Sequence, residues 1–333
     1  MQIVVLDGRT TNPGDISWEP LKELGKLTVY DDTPYELIRE RAGAAEAVIM
    51  NRTIMDRAIL KELPCLRFLG ALATGYNTID IAAAGSEMSD SSVITKEEGG
   101  IKRGYNSPLC RCRFAVMNPE LTYTLPAYQT ACGAVDIMMH TMERYFVPDD
   151  TLELTDGMAE ALIRTVMHNA LILKGEPQNY KARAEIMWAG SLAHNSLMNC
   201  GGPNGDWASH QLEHELGGMF DVAHGAGLAA VWGSWARYVF HDKPERFAQF
   251  ASRIFDIECH GNARETALLG IEAMEEFYRS IDMPTTIREL GVALTEEQIE
   301  ELAAKCAFGG RTIGAFKTLN QEDMAAIYRN ARG

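Results

Sequence analysis

Residues 206–227 read DWASHQLEHELGGMFDVAHGAG and contain three histidines, His210, His214 and His224. His210 and His214 are four residues apart in a helical pattern, which places both imidazoles on one face, one turn apart. The glycine pair at 217–218 predicts the end of this helix, after which the chain turns and returns with His224. The stretch therefore predicts three imidazoles near one point, as in a metal site that still needs a further ligand.

A second pair of ligand-type side chains lies upstream, in residues 133–145, GAVDIMMHTMERY. Asp136 and His140 are also four residues apart on a predicted helix. Taken alone they fit an ordinary Asp–His pair on a helix surface, but together with residues 206–227 they predict a metal site. The donors are oxygen and nitrogen without thiolate, which suits Fe(II), Zn(II), Mn(II) or Ni(II) better than Cu(I) or an iron–sulfur cluster.

The composition is that of a soluble globular protein, with 46% hydrophobic and 23% charged residues in a chain of 333. This length leads us to expect two domains. The net charge of −15 argues against a nucleic-acid partner, because phosphate requires a basic surface. The sequence contains no run of eighteen apolar residues, so we predict no membrane span. The seven cysteines are scattered, which argues against a disulfide framework. The N-terminus has no basic region, and we do not interpret it as a signal peptide. Both features predict a cytoplasmic protein.

The first part of the chain alternates between strand and helix patterns. Strands are predicted at 3–6, 26–32, 47–51 and 66–74. Helices are predicted between them at 17–24, at 33–44 with Thr33 as the cap, and at 56–64. Such alternation predicts a parallel sheet of the flavodoxin or Rossmann type. No G-x-G-x-x-G motif follows any of these strands, so a complete dinucleotide-binding fingerprint is absent.

From residue 126 onward the pattern is helical. The sequence therefore predicts an α/β N-terminal domain over 1–125, in which strands of 84–125 close the sheet, and an all-α metal-binding domain over 126–333. The predicted helices are 127–146, 151–174, 178–199, 206–216, 225–240, 243–256, 262–281, 295–308 and 321–331. Four histidines lack partners at ligand spacing, and we interpret them as structural or surface residues: His168, His194, His241 and His260. Among them, His194 is a candidate for lining the cleft.

Three segments of the first 83 residues resemble D-2-hydroxyacid dehydrogenases, and they read LDGRTTNPGDISWEPLKELG, AVIMNRT and LRFLGALATGYNTIDIAAA. The resemblance implies a substrate-side domain in which the loop at 73–77 offers backbone N–H groups to a carboxylate. The catalytic Arg, Glu and His of that family, and its Gly-rich cofactor domain, do not follow in this chain.

The rest of the chain, from residue 85, is similar to the iron-containing alcohol dehydrogenases. The similarity is carried by GSEMSDSSVIT, the lysine of GGIKRG, FAVMNPELTYTLP, CGAVDIMMHTMERY, MWAGSLAHN, SHQLEHELGG and DVAHGAGLA. It implies four metal ligands, namely Asp136, His140, His210 and His224. It also implies that His214 lies near the nicotinamide and acts in catalysis, and that Ser86, in the turn at 85–87, and Lys102 face the cofactor.

The family's own GGGS-type phosphate loop is missing, so the chain resembles a mosaic of two dehydrogenase families. The resemblance implies a metal-dependent, NAD(P)H-linked alcohol dehydrogenase or aldehyde reductase with Fe2+ or Zn2+, NADP or NAD, a small alcohol or aldehyde substrate and a homodimeric assembly. The ion acts as a Lewis acid on the substrate oxygen, and His214 passes a proton to or from solvent. Two alternatives stay open, a metal-binding protein without redox turnover and a fusion that folds poorly.

Overall fold

The computed structural model describes residues 1–11, 17–50, 53, 55, 59, 62–71, 88, 91–96, 101–106, 115, 117–147, 152–195 and 197–333, with the backbone alone at 10–11, 68–71, 91–96 and 101–106. The chain forms two compact units, residues 1–79 and 80–333. This division differs from the boundary at 125 that the sequence predicted.

A four-stranded parallel sheet is the centre of the first unit. Its strands are β1 (Gln2–Val5), β2 (Lys26–Val29), β3 (Ala47–Met50) and β4 (Phe68–Ala71), in the order β2-β1-β3-β4. Side chains of β1 alternate between two apolar clusters, with Ile3 and Val5 on one face and Val4 on the other. A strand buried on both faces reads as a continuous apolar run. The parallel sheet of the predicted α/β segment is therefore confirmed.

Short helices connect these strands. They are α1 (Gly8–Thr11), α2 (Glu19–Leu24), a 3-10 turn (Tyr35–Leu37) and α3 (Ile38–Ala42). The sequence predicted a helix that starts after Thr33, but Pro34 is extended (φ −58°, ψ 150°) and the α-helical residues begin only at Ile38. The predicted helix near residue 60 lies largely outside the described residues.

Two strands of the second unit, β5 (Ser91–Lys96) and β6 (Ile101–Asn106), form an antiparallel sheet of their own. The sequence predicted that strands of 84–125 close the parallel sheet. In the part of this segment that the structure describes, β5 and β6 pair with each other, and Pro119–Thr122 is a 3-10 helix. The proline at its start lacks a backbone donor, and the side chain of Asn118 accepts the N–H of Glu120, which together favour a turn over a strand.

The second unit is otherwise helical, as predicted. Its helices are α4 (Ala127–Tyr145), α5 (Glu153–Gly175), α6 (Tyr180–His194), α7 (Ala208–Phe220), α8 (His224–Val239), α9 (Pro244–Phe255), α10 (Ala263–Ser280), α11 (Glu296–Cys306) and α12 (Gln321–Ala331). A capping box precedes α11, because Thr295 and Gln298 each accept the other's backbone N–H. In the described part of the chain, none of the helices has the length and apolar composition needed to cross a membrane.

Helix α4 lies in the centre of the helical core. Every residue from Thr130 to Val147 is buried except His140, which is partly exposed. A helix that is buried on all sides has little freedom to shift, so its polar side chains are held in place by packing. Helix α8 crosses α4 at close range, because a Cβ atom on Gly225 would lie 2.1 Å from the backbone oxygen of Cys132.

Helix α7 is longer than the sequence predicted. It continues through the glycine pair at 217–218 to Phe220 and ends at Asp221, which adopts a left-handed conformation with φ of 52°. Met219 and Phe220 pack against the apolar core, and this contact holds the last turn in helical form despite the glycines. The reversal into α8 therefore occurs three residues before His224.

Candidate metal centre

Asp136 and His140 are presented by the same face of α4. The carboxylate of Asp136 is almost fully buried, at 2% exposure, and its Oδ1 atom lies 3.7 Å from Nε2 of His140. Their spacing of four residues brings the two side chains together, as the sequence predicted. An aspartate in the middle of a buried helix requires a compensating partner, because an unpaired buried charge is strongly unfavourable.

The other two predicted ligands approach the same oxygen from α7 and α8. Nε2 of His210 lies 3.6 Å from Oδ1 of Asp136, and Nε2 of His224 lies 3.4 Å from it. His210 is in the first turn of α7, and His224 is the first residue of α8. The reversal between the two helices therefore directs both imidazoles at the carboxylate on α4.

Two buried glutamates orient these imidazoles from behind. Oε1 of Glu143 lies 3.2 Å from Nδ1 of His210, and Nδ1 of His224 contacts the carboxylate of Glu213. Both glutamates are fully or almost fully buried. A carboxylate on Nδ1 fixes the tautomer that leaves Nε2 free to coordinate an ion. Neither glutamate was predicted from the sequence.

Trp207 covers the centre at the start of α7. Its ring lies 5.6 Å from that of His140 and 5.4 Å from that of His210, measured between centroids. The guanidinium of Arg144 lies 4.7 Å from the Trp207 ring, in cation–π geometry. Trp207 has φ of 63°, which is rare for a bulky residue and is maintained only where the surroundings enforce it.

His214 and His194 complete the group of imidazoles. The ring of His214 is stacked near that of His224, with centroids 5.7 Å apart, and Glu213, His214 and His224 offer donor atoms within 4.8 Å of one another. His194 was interpreted from the sequence as structural, surface or cleft-lining. It is partly buried and its ring lies 3.8 Å from that of His140, so it has a close imidazole neighbour that the spacing of residues did not reveal.

The electrostatic environment draws positive charge into the centre. Burial by itself raises the pKa of Asp136, but the imidazoles around it hold that pKa well below its usual range. Burial, together with the neighbouring His194, lowers the pKa of His140 well below its ordinary value. Burial also lowers the pKa of His224, but the carboxylate of Glu213 opposes it and raises the pKa to about 10. The buried carboxylates thus attract a cation.

The distances from Asp136 to the three imidazoles fit a divalent metal ion. Two ligands about 2.1 Å from one tetrahedral ion lie roughly 3.4 Å from each other, and the three separations from Asp136 Oδ1 are 3.4, 3.6 and 3.7 Å. Oδ1 of Asp136 and Nε2 of His210 are buried and have no hydrogen-bond partner among the described residues. Such orphaned polar atoms are rare in proteins and are explained by an ion that binds them.

Comparison with known proteins supports the same interpretation. The model of the Fe-containing alcohol dehydrogenase family, C-terminal, matches residues 130–332. The chain belongs to the Fe-containing alcohol dehydrogenase family. The model of the D-isomer specific 2-hydroxyacid dehydrogenase catalytic domain matches residues 3–87. Both predicted resemblances are therefore confirmed.

Several relatives within the iron-type family are dehydrogenases or reductases. The probable NADH-dependent butanol dehydrogenase 1 of Bacillus subtilis is 36% identical over 75% of this chain and 64% of the relative. The NADPH-dependent aldehyde reductase YqhD of Escherichia coli is 32% identical over 76% of this chain and 65% of the relative. The chain thus spans about 64–65% of the length of these relatives.

Solved structures of the iron-type family match the whole chain. The crystal structure of NADH-dependent butanol dehydrogenase A from Thermotoga maritima matches with a TM-score of 0.79 and 27% identity, over 100% of this chain and 91% of that protein. The crystal structure of E. coli YqhD matches with a TM-score of 0.80 and 26% identity, over 99% and 91% of the two chains.

The structure describes His214 in this group, but not the side chains of the other two residues that the family resemblance assigned to the cofactor. Ser86 lies outside the described residues, as does the loop at 73–77. The backbone of Lys102 lies in β6, opposite Thr95, while its side chain is outside the described part. In this member of the iron-type family, the described site therefore consists of the imidazoles and carboxylates of α4, α6, α7 and α8.

Proposed function

We propose that the chain is a metal-dependent, nicotinamide-linked alcohol dehydrogenase or aldehyde reductase that acts on a small alcohol or aldehyde. The observation that carries the proposal is the arrangement of three Nε2 atoms within 3.7 Å of one buried carboxylate oxygen. The proposed ligands of the ion are Asp136, His140, His210 and His224. Names of relatives support the substrate class, since they include butanol dehydrogenases and an aldehyde reductase.

Each cofactor supplies one part of the chemistry when bound. A divalent ion supplies Lewis acidity to a substrate oxygen, and a nicotinamide supplies or accepts the hydride, which no protein side chain does. The ligand set contributes a single negative charge, that of Asp136, so that an ion there retains a net positive charge. Glu143 and Glu213 hold His210 and His224 in the tautomer with Nε2 directed at Asp136.

Two further residues prepare the site for proton and hydride transfer. His214 lies one turn after His210 and beside His224, and we assign to its ring nitrogens the exchange of a proton between the substrate oxygen and solvent. Trp207 covers the rings of His140 and His210, which excludes water from this side of the centre.

The metal and the nicotinamide are each proposed as one of two species. Imidazole and carboxylate donors suit both Fe2+ and Zn2+. The relatives include NADH-dependent and NADPH-dependent enzymes, so NAD and NADP are both candidates. We also propose that the protein is cytoplasmic and forms a homodimer. Size-exclusion chromatography with light scattering would test the dimer through the mass of the particle.

A metal-binding protein without redox turnover is the second candidate. It is favoured by the match of residues 3–87 to a different dehydrogenase family and by the absence of G-x-G-x-x-G from the sequence. In this case the helical unit binds its ion, but the chain does not bind a nicotinamide cofactor.

The deciding experiment measures metal content first and nucleotide binding second. The purified protein is loaded with Fe2+ without oxygen, or with Zn2+, and bound metal is quantified per chain. NADH and NADPH are then titrated while cofactor fluorescence is followed, and aldehyde reduction is assayed. One ion per chain, saturable binding and turnover support the dehydrogenase. One ion without nucleotide binding supports the second candidate, and absence of stable metal binding refutes both.

The matched variants separate the site from general effects of substitution. Asp136→Asn retains the volume of the side chain but removes its charge, so we expect loss of the ion. His168→Ala removes an exposed histidine of α5 that lies outside the centre, and we expect it to bind metal like the parent.

A further inference from the structure

His194 is an additional imidazole in contact with the proposed metal centre. It is the last residue of α6, whereas the four proposed ligands come from α4, α7 and α8. Its ring centroid lies 3.8 Å from that of His140, with the planes at 50°. Asp136, His140 and His194 each offer one donor atom, and these three atoms lie within 4.8 Å of one another. His194 thus meets the geometric condition for a set of three donors with Asp136 and His140. Asp136, His210 and His224 form a second such set, so the carboxylate of Asp136 belongs to both.

One nitrogen of each ring in this pair lacks a hydrogen-bond partner in the described part of the chain. Nδ1 of His194 and Nδ1 of His140 are buried and have no hydrogen-bond partner in the described part of the chain. Leaving a buried polar atom unpaired costs roughly 1–3 kcal/mol. A histidine that only fills space would thus be less favourable here than an apolar side chain of similar size, such as phenylalanine.

Contact between two partly buried imidazoles also requires an explanation. Two neutral imidazoles that are not hydrogen-bonded to each other gain little stabilisation from such a contact, and two protonated imidazoles repel each other. A cation shared by both removes this conflict, because each imidazole then donates a nitrogen lone pair to it.

We propose that His194 is an auxiliary ligand that supplies a fourth imidazole to the ion in the substrate-free protein. This inference rests on the proposed function, and it adds one donor to the set of one aspartate and three histidines. His194 would then hold the coordination position that a substrate oxygen needs, and substrate would have to displace it. Ions such as Zn2+ and Fe2+ accept a change between four and five ligands, so such an exchange is chemically accessible.

The test uses the full chain loaded with Co2+ in place of the native ion. Absorption bands of Co2+ differ between four-coordinate and five-coordinate sites, and X-ray absorption counts the imidazoles around the ion. We expect four imidazoles in the parent protein without substrate. His194→Phe should reduce the count to three, alter the absorption bands and weaken Co2+ binding by roughly tenfold to a hundredfold. His168→Phe is the control, because His168 is exposed on α5.

The outcomes separate this inference from the proposed function. A parent protein that binds one Co2+ with only three imidazoles overturns the auxiliary ligand and leaves the proposed metal centre intact. Identical Co2+ spectra and affinities for the parent and His194→Phe also overturn it. A parent protein that does not bind Co2+ or Zn2+ overturns both proposals. The imidazole count of the parent needs no variant, so the test holds even if His194→Phe fails to fold.

Discussion

Nδ1 of His210 lies 3.2 Å from Oε1 of Glu143, and the same oxygen accepts the backbone N–H of His210 at 3.0 Å. One carboxylate thus fixes both the ring and the backbone at the start of α7. Glu143 is three residues after His140 on α4, so the helix that presents two of the proposed ligands also orients a third. The centre is therefore assembled around α4.

This relationship predicts a measurable effect of Glu143→Gln on metal binding. Glutamine keeps the shape of the side chain and can still accept a hydrogen bond, but the negative charge that makes the His210 ring more basic is lost. We expect metal affinity to fall by roughly tenfold to a hundredfold, which is typical for partners of metal-bound histidines. Competition with a chromophoric chelator measures the affinity. The control Glu301→Gln, at an exposed position of α11, should bind like the parent, and an unchanged affinity in Glu143→Gln would contradict the assigned role.

Gly225 gives a second prediction, because it lies at the crossing of α4 and α8. A Cβ atom at this position would be 2.1 Å from the Cys132 carbonyl oxygen, so alanine must push the helices apart. We expect Gly225→Ala to lower the free energy of unfolding by about 1–3 kcal/mol and to weaken metal binding, since His224 is the adjacent residue.

The control for this substitution is Gly157→Ala on α5. Apart from its chain neighbours and the backbone of its own helix, no atom lies within 4 Å of the added Cβ. Alanine should therefore raise the free energy of unfolding by about 0.5–1 kcal/mol through its better helix propensity. Urea unfolding measures both variants. Equal stability of Gly225→Ala and the parent would contradict this prediction, because it would mean that α4 and α8 move apart without any loss of unfolding free energy.

The sequence predicted much of this centre because helical spacing determines which side chains share a face. The four-residue spacing of Asp136 and His140 was enough to place them together, and the two predicted histidines on the later helices approach the same oxygen. Glu143 also carried a signal, since it is three residues after His140 and seven after Asp136 on the same face. That spacing predicts a role for Glu143 only when another imidazole is known to face its carboxylate.

The spacing of residues in the sequence could not predict other features of the structure. His194 meets His140 because α6 packs against α4, and this contact depends on side-chain volumes along both helices. The last turn of α7 forms despite two glycines, since Met219 and Phe220 find partners in the core. In both cases tertiary contacts decide, and local propensity is a weak guide where they act.

A third prediction concerns a buried ion pair between α5 and α9. Arg246 donates to both carboxylate oxygens of Asp156 and to the backbone oxygen of Tyr145, and Asp156 and Arg246 are 5% and 4% exposed. Asp156→Ala leaves an uncompensated guanidinium in the core, so we expect it to lower the free energy of unfolding by about 3–5 kcal/mol. Glu301→Ala breaks the exposed pair with Lys305 and should cost less than about 1 kcal/mol. Similar losses in both variants would show that water reaches Arg246.

The pH dependence of stability gives a fourth prediction, which rests on Asp206. Its carboxylate accepts the backbone N–H groups of Ala208, Ala315 and Phe316, but burial, reinforced by the nearby Glu143, raises its pKa from 3.8 to about 7. The folded protein therefore retains a proton that the unfolded chain releases near pH 4. The stabilisation from this group is complete below pH 3.8 and is lost as the pH rises through 7.

Asp206→Asn should remove this part of the pH dependence, since an amide does not titrate. From pH 5 to pH 8 we expect the parent to lose roughly 2–3 kcal/mol of unfolding free energy relative to the variant, from about two pKa units at 1.36 kcal/mol each. Urea unfolding with a chelator measures this difference without a contribution from ion release. The amide must also face the N–H of Ala208, but this penalty is the same at every pH, so the slope is the informative quantity. Asp221→Asn, which removes an exposed charge at the end of α7, is the control. Parallel curves for the parent and Asp206→Asn would mean that Asp206 is ionised in the folded protein throughout this range.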